Sequence, residues 1–310
     1  MDIKISRPVK EFCLETRNGV LAGLHWQPEV ITTETPRVLA LHGWLDNAAT
    51  FKPMAEYLPD CEIIAIDFPG HGHSDWRAGK LWYHLVDYLE DVALLVKHLS
   101  TGNDHWKSFH LLGHSLGGVV SGLWAAAMPE TLLSMSIIEG LGPLADTTGE
   151  NSQRLRKALD SLNKLEDKQL RVFESIDQAT LVRAKSGGME NELARILVER
   201  SLEEAVDEEG NKGWRWSTDP RLMHISPNRY SETQILEMMA DIQVPLLFLH
   251  GDPLPDFVDK KVMEKRIQAA HAEKIVCIKG HHHLHMQHPQ QTAEVVRSHI
   301  ANHLKRDEND

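Results

Sequence analysis

The sequence predicts an α/β protein: a mostly parallel central sheet flanked by helices, interrupted by an inserted all-helical segment. Three observations carry this reading. Short continuous apolar runs at 38–41, 61–66, 109–112 and 133–138 alternate with segments of helical spacing. Such runs are strands buried on both faces, as in a parallel sheet covered by helices. The alternation stops over residues 141–240, which are polar, charged and helix-prone, and resumes at 244–249 and 274–278.

Each element has a local reason. Residues 12–15 and 20–26 flank Asn18-Gly19, a dipeptide suited to a tight hairpin turn. The run 38–41 ends at His42-Gly43, and a helical signal follows at 52–57. The run 61–66 ends at Asp67 and the loop 67–74. Leu85, Leu89, Val92, Leu95, Val96 and Leu99 recur at helical spacing. The strand 109–112 leads through Gly113-His114-Ser115-Leu116-Gly117 into a helix of small apolar residues at 118–128. The strand 133–138 ends at Glu139-Gly140. Within 141–240, Leu155, Leu159, Leu162 and Leu165 share one helical face, and Leu193, Ile196 and Leu197 suggest another. A last helix is expected at 291–304. The core is therefore expected from residues 1–140 and 241–310, with 141–240 as the insert.

Bulk properties bound the function. The chain has 310 residues and a net charge of −12, which disfavours nucleic acid and anionic membranes as partners. The acidic runs 203–209 and 307–310 read as solvated surface. The first eight residues lack the apolar stretch of a secretory signal. No segment approaches the ~18 uninterrupted apolar residues of a membrane span. Cys13, Cys61 and Cys277 fall in apolar, strand-like runs with wide spacing, so each is expected to be a buried free thiol. A cytoplasmic protein is the simplest expectation.

The chemistry centres on Ser115. G-x-S-x-G between a strand and a helix is the context of a nucleophile elbow, where a strained turn exposes the serine hydroxyl. A serine needs a base to take its proton and a third group to orient that base. The base is expected among His281, His282, His283 and His285, after the last strand. A histidine-rich tract can also hold metal, but no adjacent carboxylate or cysteine completes a ligand set in the sequence. Three strand-end carboxylates are candidates for the acid: Glu139, Asp252 and Asp256. The oxyanion donors are expected to be the backbone N–H groups of Leu116 and Trp44.

These features in this order resemble the α/β-hydrolase fold over nearly the whole chain. The resemblance implies a helical cap between the elbow and the histidine loop. It singles out His282, because Gly280-His281-His282 stands seven residues before Pro289. It implies that His281, His283 and His285 are lining or surface residues. Many relatives place the acid three residues after the glycine ending the seventh strand, which here is Leu254. A subset takes it from the end of the sixth strand, which is Glu139. The resemblance therefore favours Glu139, with Asp252 and Asp256 as alternatives. The segments 214–222 and 138–143 resemble a serine hydrolase-like branch.

The expectation is a serine hydrolase, most simply a carboxylesterase or thioesterase acting on a small-molecule acyl substrate without cofactor or metal. A carbon–carbon hydrolase or lyase with the same triad is an alternative, and a non-catalytic ligand-binding relative is another. Trp214, Trp216 and Met223 either line the substrate pocket or hold the cap to the core.

Overall fold

The computed structural model describes residues 6–79, 82–102, 104–146, 149–166, 171–255 and 258–305. Eight strands form one sheet: β1 (Lys10–Thr16), β2 (Gly19–Trp26), β3 (Arg37–Leu41), β4 (Glu62–Ile66), β5 (Phe109–His114), β6 (Leu132–Ile138), β9 (Leu246–Asp252) and β10 (Lys274–Lys279). Their order is β1-β2-β4-β3-β5-β6-β9-β10. The β1–β2 and β2–β4 pairs are antiparallel, and the others are parallel. The Asn18-Gly19 turn joins β1 to β2, with Gly19 at φ +109°.

Alternate residues of each central strand feed two separate cores. Leu39 and Leu41 face one side, where α2 (Asp87–Ser100), α3 (Leu116–Ala127), α7 (Glu232–Ala240) and α8 (Lys260–Ala269) pack. Val38 and Ala40 face the other, against α1 (Lys52–Ala55) and α10 (Pro289–Asn302). Both faces are thus covered, which is why the strands read as mostly apolar runs. A short helix, α9 (Leu284–Gln287), precedes α10.

Between β6 and β9 the chain adds α4 (Asn151–Glu166), α5 (Ile176–Gly187) and α6 (Asn191–Val198), then a hairpin of β7 (Leu202–Val206) and β8 (Lys212–Trp216), before α7. The hairpin corrects the expectation of an all-helical insert. Its strands are half exposed, so they carry charges such as the cross-strand pair Glu203–Arg215 and never form a continuous apolar run. Trp214 and Trp216 pack with Phe173, Ala179 and Val198 in a small core of the insert itself. They thus pack the insert on itself, not onto the sheet. Met223 is exposed.

The cysteine expectation also needs correction. Cys61 is buried, but Cys13 and Cys277 are exposed. They lie on β1 and β10, the two edge strands, where one face meets solvent. Burial pushes the Cys61 thiol up to about 11. A thiol-reactive chromophore should therefore titrate Cys13 and Cys277 quickly in the native protein and Cys61 only on unfolding. Three equally fast thiols in native buffer would contradict this packing.

Candidate active site

Ser115 sits between β5 and α3 at φ 52°, ψ −114°, a conformation that costs energy for a non-glycine residue. The surroundings enforce it. Ser115 N–H donates to the Ile138 carbonyl at 2.9 Å, and Val119 N–H donates to the Ser115 carbonyl at 3.0 Å. A Cβ at Gly117 would lie 1.9 Å from the Leu41 carbonyl oxygen. At Gly140 it would lie 2.2 Å from the Ser115 carbonyl oxygen. Only residues without a side chain let the elbow pack this tightly between β3 and β6.

The loop after β10 brings His282 to the elbow, with Nε2 2.9 Å from Ser115 Oγ. Backbone N–H contacts help to fix this loop: Gly280 N–H donates to the Asp252 carbonyl at 3.1 Å, and His281 N–H donates to Gln287 Oε1 at 2.8 Å. Glu139 follows β6 at φ 58°. Its N–H donates to the Leu249 carbonyl at 3.0 Å, and its Oε1 accepts from Gly251 N–H. Its Oε2 stands 3.7 Å from His282 Nδ1, an ion-pair distance longer than a hydrogen bond. Such contacts often tighten only when substrate is bound. The geometry thus brings Ser115, His282 and Glu139 together. Asp252 ends β9 with its residue exposed. Asp256 lies outside the described residues.

Leu116 opens α3, so its N–H is among those left free by the first helical turn. Trp44 lies in the turn closed by Asp46 N–H donating to the Gly43 carbonyl at 3.1 Å. The Gly117–Leu41 approach brings the two segments side by side. His42 fastens the Trp44 turn from below. Its Nδ1–H donates to the Gly43 carbonyl at 2.7 Å, and its Nε2 accepts from Phe68 N–H at 2.9 Å. This tautomer is neutral, and burial holds the ring down to about 3.

Beneath the elbow lies a set of residues that sequence reasoning did not assign. Asp46 is fully buried and contacts His114 of the elbow, His283 of the histidine loop and Arg183 of the insert. Burial opposes its ionisation, but His283, His114 and Arg183 outweigh that and hold the carboxyl well below the usual range. Asp67 is the second buried acid. It accepts from Ala48 N–H, His73 N–H and the Arg200 guanidinium of the insert. His283 and His285 are buried, which corrects their expected lining or surface position; His281 is exposed. His285 Nε2 lies 2.7 Å from Thr50 Oγ1. The available signals were His114 inside the elbow motif and Asp46 four residues after His42. Neither spacing reveals a contact made across 68 or more positions.

The Alpha/beta hydrolase family profile matches residues 38–295, and the chain belongs to that family. It is 27% identical over 303 residues to a serine hydrolase-like protein of Danio rerio, covering 94% of this chain and 88% of that one. A monoacylglycerol lipase of Mus musculus is 24% identical over 274 residues, covering 86% and 76%. Among solved structures, a hypothetical protein of Pseudomonas aeruginosa PAO1 superposes with a TM-score of 0.82 at 31% identity, covering 94% of this chain and 99% of that one. Among the described residues no helix is long and apolar enough to cross a membrane.

The buried histidines make stability depend on pH. Burial lowers His42 and His110 to about 3, and His71 and His114 to about 4. Their folded values lie below the unfolded value of about 6.5, so the unfolded chain gains protons first as pH falls. Stability therefore declines below pH ~6.5, by roughly 1 kcal/mol per such histidine at pH ~5.5. Asp91, pushed up to about 6 by burial, opposes this by less than about 1 kcal/mol. Urea midpoints at the two ends of the range from pH ~7.5 to ~5.5 test the sign. The midpoint should fall clearly, and an unchanged or higher midpoint at the acidic end would refute the account.

Proposed function

We propose that the chain is a serine hydrolase that cleaves carboxylic ester or thioester bonds of a small to medium acyl substrate. The observation that carries this is the 2.9 Å contact between Ser115 Oγ and His282 Nε2 at a strained elbow. Ser115 attacks the acyl carbonyl while His282 Nε2 takes its proton. The same nitrogen then protonates the leaving group, and a water deprotonated by His282 releases the acyl group. Glu139 orients His282 through Nδ1 and stabilises the imidazolium. The N–H groups of Trp44 and Leu116 receive the oxyanion. No step needs a cofactor or a metal.

The residues between β6 and β9, within 141–240, act as a cap over Ser115, with the core formed from 1–140 and 241–310. The substrate enters from solution in the cytoplasm. The name of the mouse relative, a monoacylglycerol lipase, supports an ester as the bond class.

A fluorophosphonate probe and a p-nitrophenyl ester test this. Wild type should be labelled and Ser115→Ala should not, with ester hydrolysis at least ~10³-fold lower in the variant. Glu139→Gln should slow both by about 10²- to 10⁴-fold, whereas Asp252→Asn and Asp256→Asn should stay close to wild type. An unlabelled wild type would sink the hydrolase reading. Loss in an aspartate variant alone would move the acid role away from Glu139.

A further inference from the structure

The Trp44 turn, the end of β5 and the histidine loop meet at Asp46, His114 and His283, all buried. His114 Nε2 lies 3.0 Å from the His282 carbonyl oxygen. A carbonyl only accepts, so Nε2 carries the hydrogen, and a neutral ring leaves a lone pair on Nδ1. That Nδ1 is fully buried and has no hydrogen-bond partner among the described residues. It faces Asp46 Oδ2 at 3.5 Å, which is also an acceptor. His283 Nε2 approaches the same oxygen at 3.1 Å. The other carboxylate oxygen, Oδ1, accepts from Arg183. Two acceptors, His114 Nδ1 and Asp46 Oδ2, thus converge on a point served by the single hydrogen of His283 Nε2, and a cation replacing that hydrogen would satisfy all three atoms.

The spacing fits one ion. Ligand bonds of about 2.0–2.1 Å in tetrahedral geometry put donor atoms roughly 3.3 Å apart. The observed separations of 3.1 and 3.5 Å bracket that edge, and all three donors lie within 4.8 Å of one another. Gly43 leaves the adjoining space open: a Cβ there would stand 2.9 Å from Asp46 Oδ2 and 3.0 Å from His114 Nδ1. Two imidazoles with one carboxylate suit zinc-like ions over magnesium or calcium.

We propose that Asp46 Oδ2, His114 Nδ1 and His283 Nε2 form a binding site for one divalent transition-metal ion of the zinc class. Binding displaces the proton from His283 Nε2, and Arg183 remains on Asp46 Oδ1 as an outer partner. The ion ties together the Trp44 turn, the elbow and the histidine loop. It is a structural tie and does not rest on the catalytic reading.

The test uses full-length protein stripped with a chelator. Glu273, His299 and His303 form a second, less buried cluster, so the background carries His303→Gln. Cobalt should bind one equivalent with the intense visible bands of four-coordinate cobalt. Zinc should raise the melting temperature, and X-ray absorption of the zinc complex should show two imidazoles. His283→Gln and His114→Asn should weaken binding at least 100-fold. Where a variant does not fold, the cobalt spectrum of the background protein decides. Absence of those bands at one equivalent would overturn the proposal. So would binding that survives His283→Gln but is lost in His282→Asn, since that ion would sit on the Ser115–His282 pair.

Discussion

The site depends on a lack of space. The elbow is clamped between the ends of β3 and β6, with a 1.9 Å Cβ-to-carbonyl clash awaiting any side chain at Gly117 and a 2.2 Å clash at Gly140. This close approach does more than position Ser115. It brings the carboxyl ends of β3, β5 and β6 to one point, so the Trp44 turn, Ser115 and Glu139 share a neighbourhood although they stand far apart in sequence. The positive φ values at Ser115 and Glu139 follow from the same crowding. Strain at two adjacent strand ends is sustained because the buried sheet beneath leaves no alternative path.

Charge fixes what packing leaves open. The insert has one small core of its own and a second shared with Met286 of α9, and two of its arginines reach buried acids of the main body: Arg183 to Asp46 and Arg200 to Asp67. Both acids are buried in loops at the carboxyl end of the sheet. A buried ion pair adds little stability relative to apolar packing, but losing one partner strands a charge and is costly. The pairs therefore restrict where the insert can sit, alongside Met286 in its apolar cluster and the Asn47 side chain donating to the Leu197 carbonyl. Arg200 also accommodates Glu11 on β1, so one guanidinium spans insert, loop and edge strand. Gly72 enters the same arrangement, since a Cβ there would lie 2.4 Å from the Asp67 carboxyl group.

What the sequence made legible follows this division. Strands buried on both faces are continuous apolar runs, so the central sheet was readable, and the elbow glycines marked Ser115. The position of Glu139 at the end of an apolar run made it a candidate, although spacing could not choose between it and the aspartates. The β7–β8 hairpin was hidden because half-exposed strands carry charges and mimic a polar helix. Cys13 and Cys277 were misread because an apolar run on an edge strand still has one wet face. The cluster around Asp46 was invisible for a different reason: contacts among residues 46, 114, 183 and 283 exist only through the topology of the sheet and insert.

Three buried carboxylates at this end of the sheet, Asp67, Glu139 and Asp46, can be told apart by how fully their oxygens are used. Both oxygens of Asp67 accept from N–H groups, of Ala48, His73 and Arg200. It has no acceptor capacity directed at a mobile partner and serves the frame. Glu139 commits Oε1 to Gly251 N–H and turns Oε2 toward His282. Asp46 commits Oδ1 to Arg183 and turns Oδ2 toward two imidazoles. In each of these two, one oxygen anchors the carboxylate while the other is held, oriented, beside a titratable ring. A carboxylate with both oxygens saturated fixes a loop. One with a single anchored oxygen can respond to a proton or a cation arriving at the ring it faces.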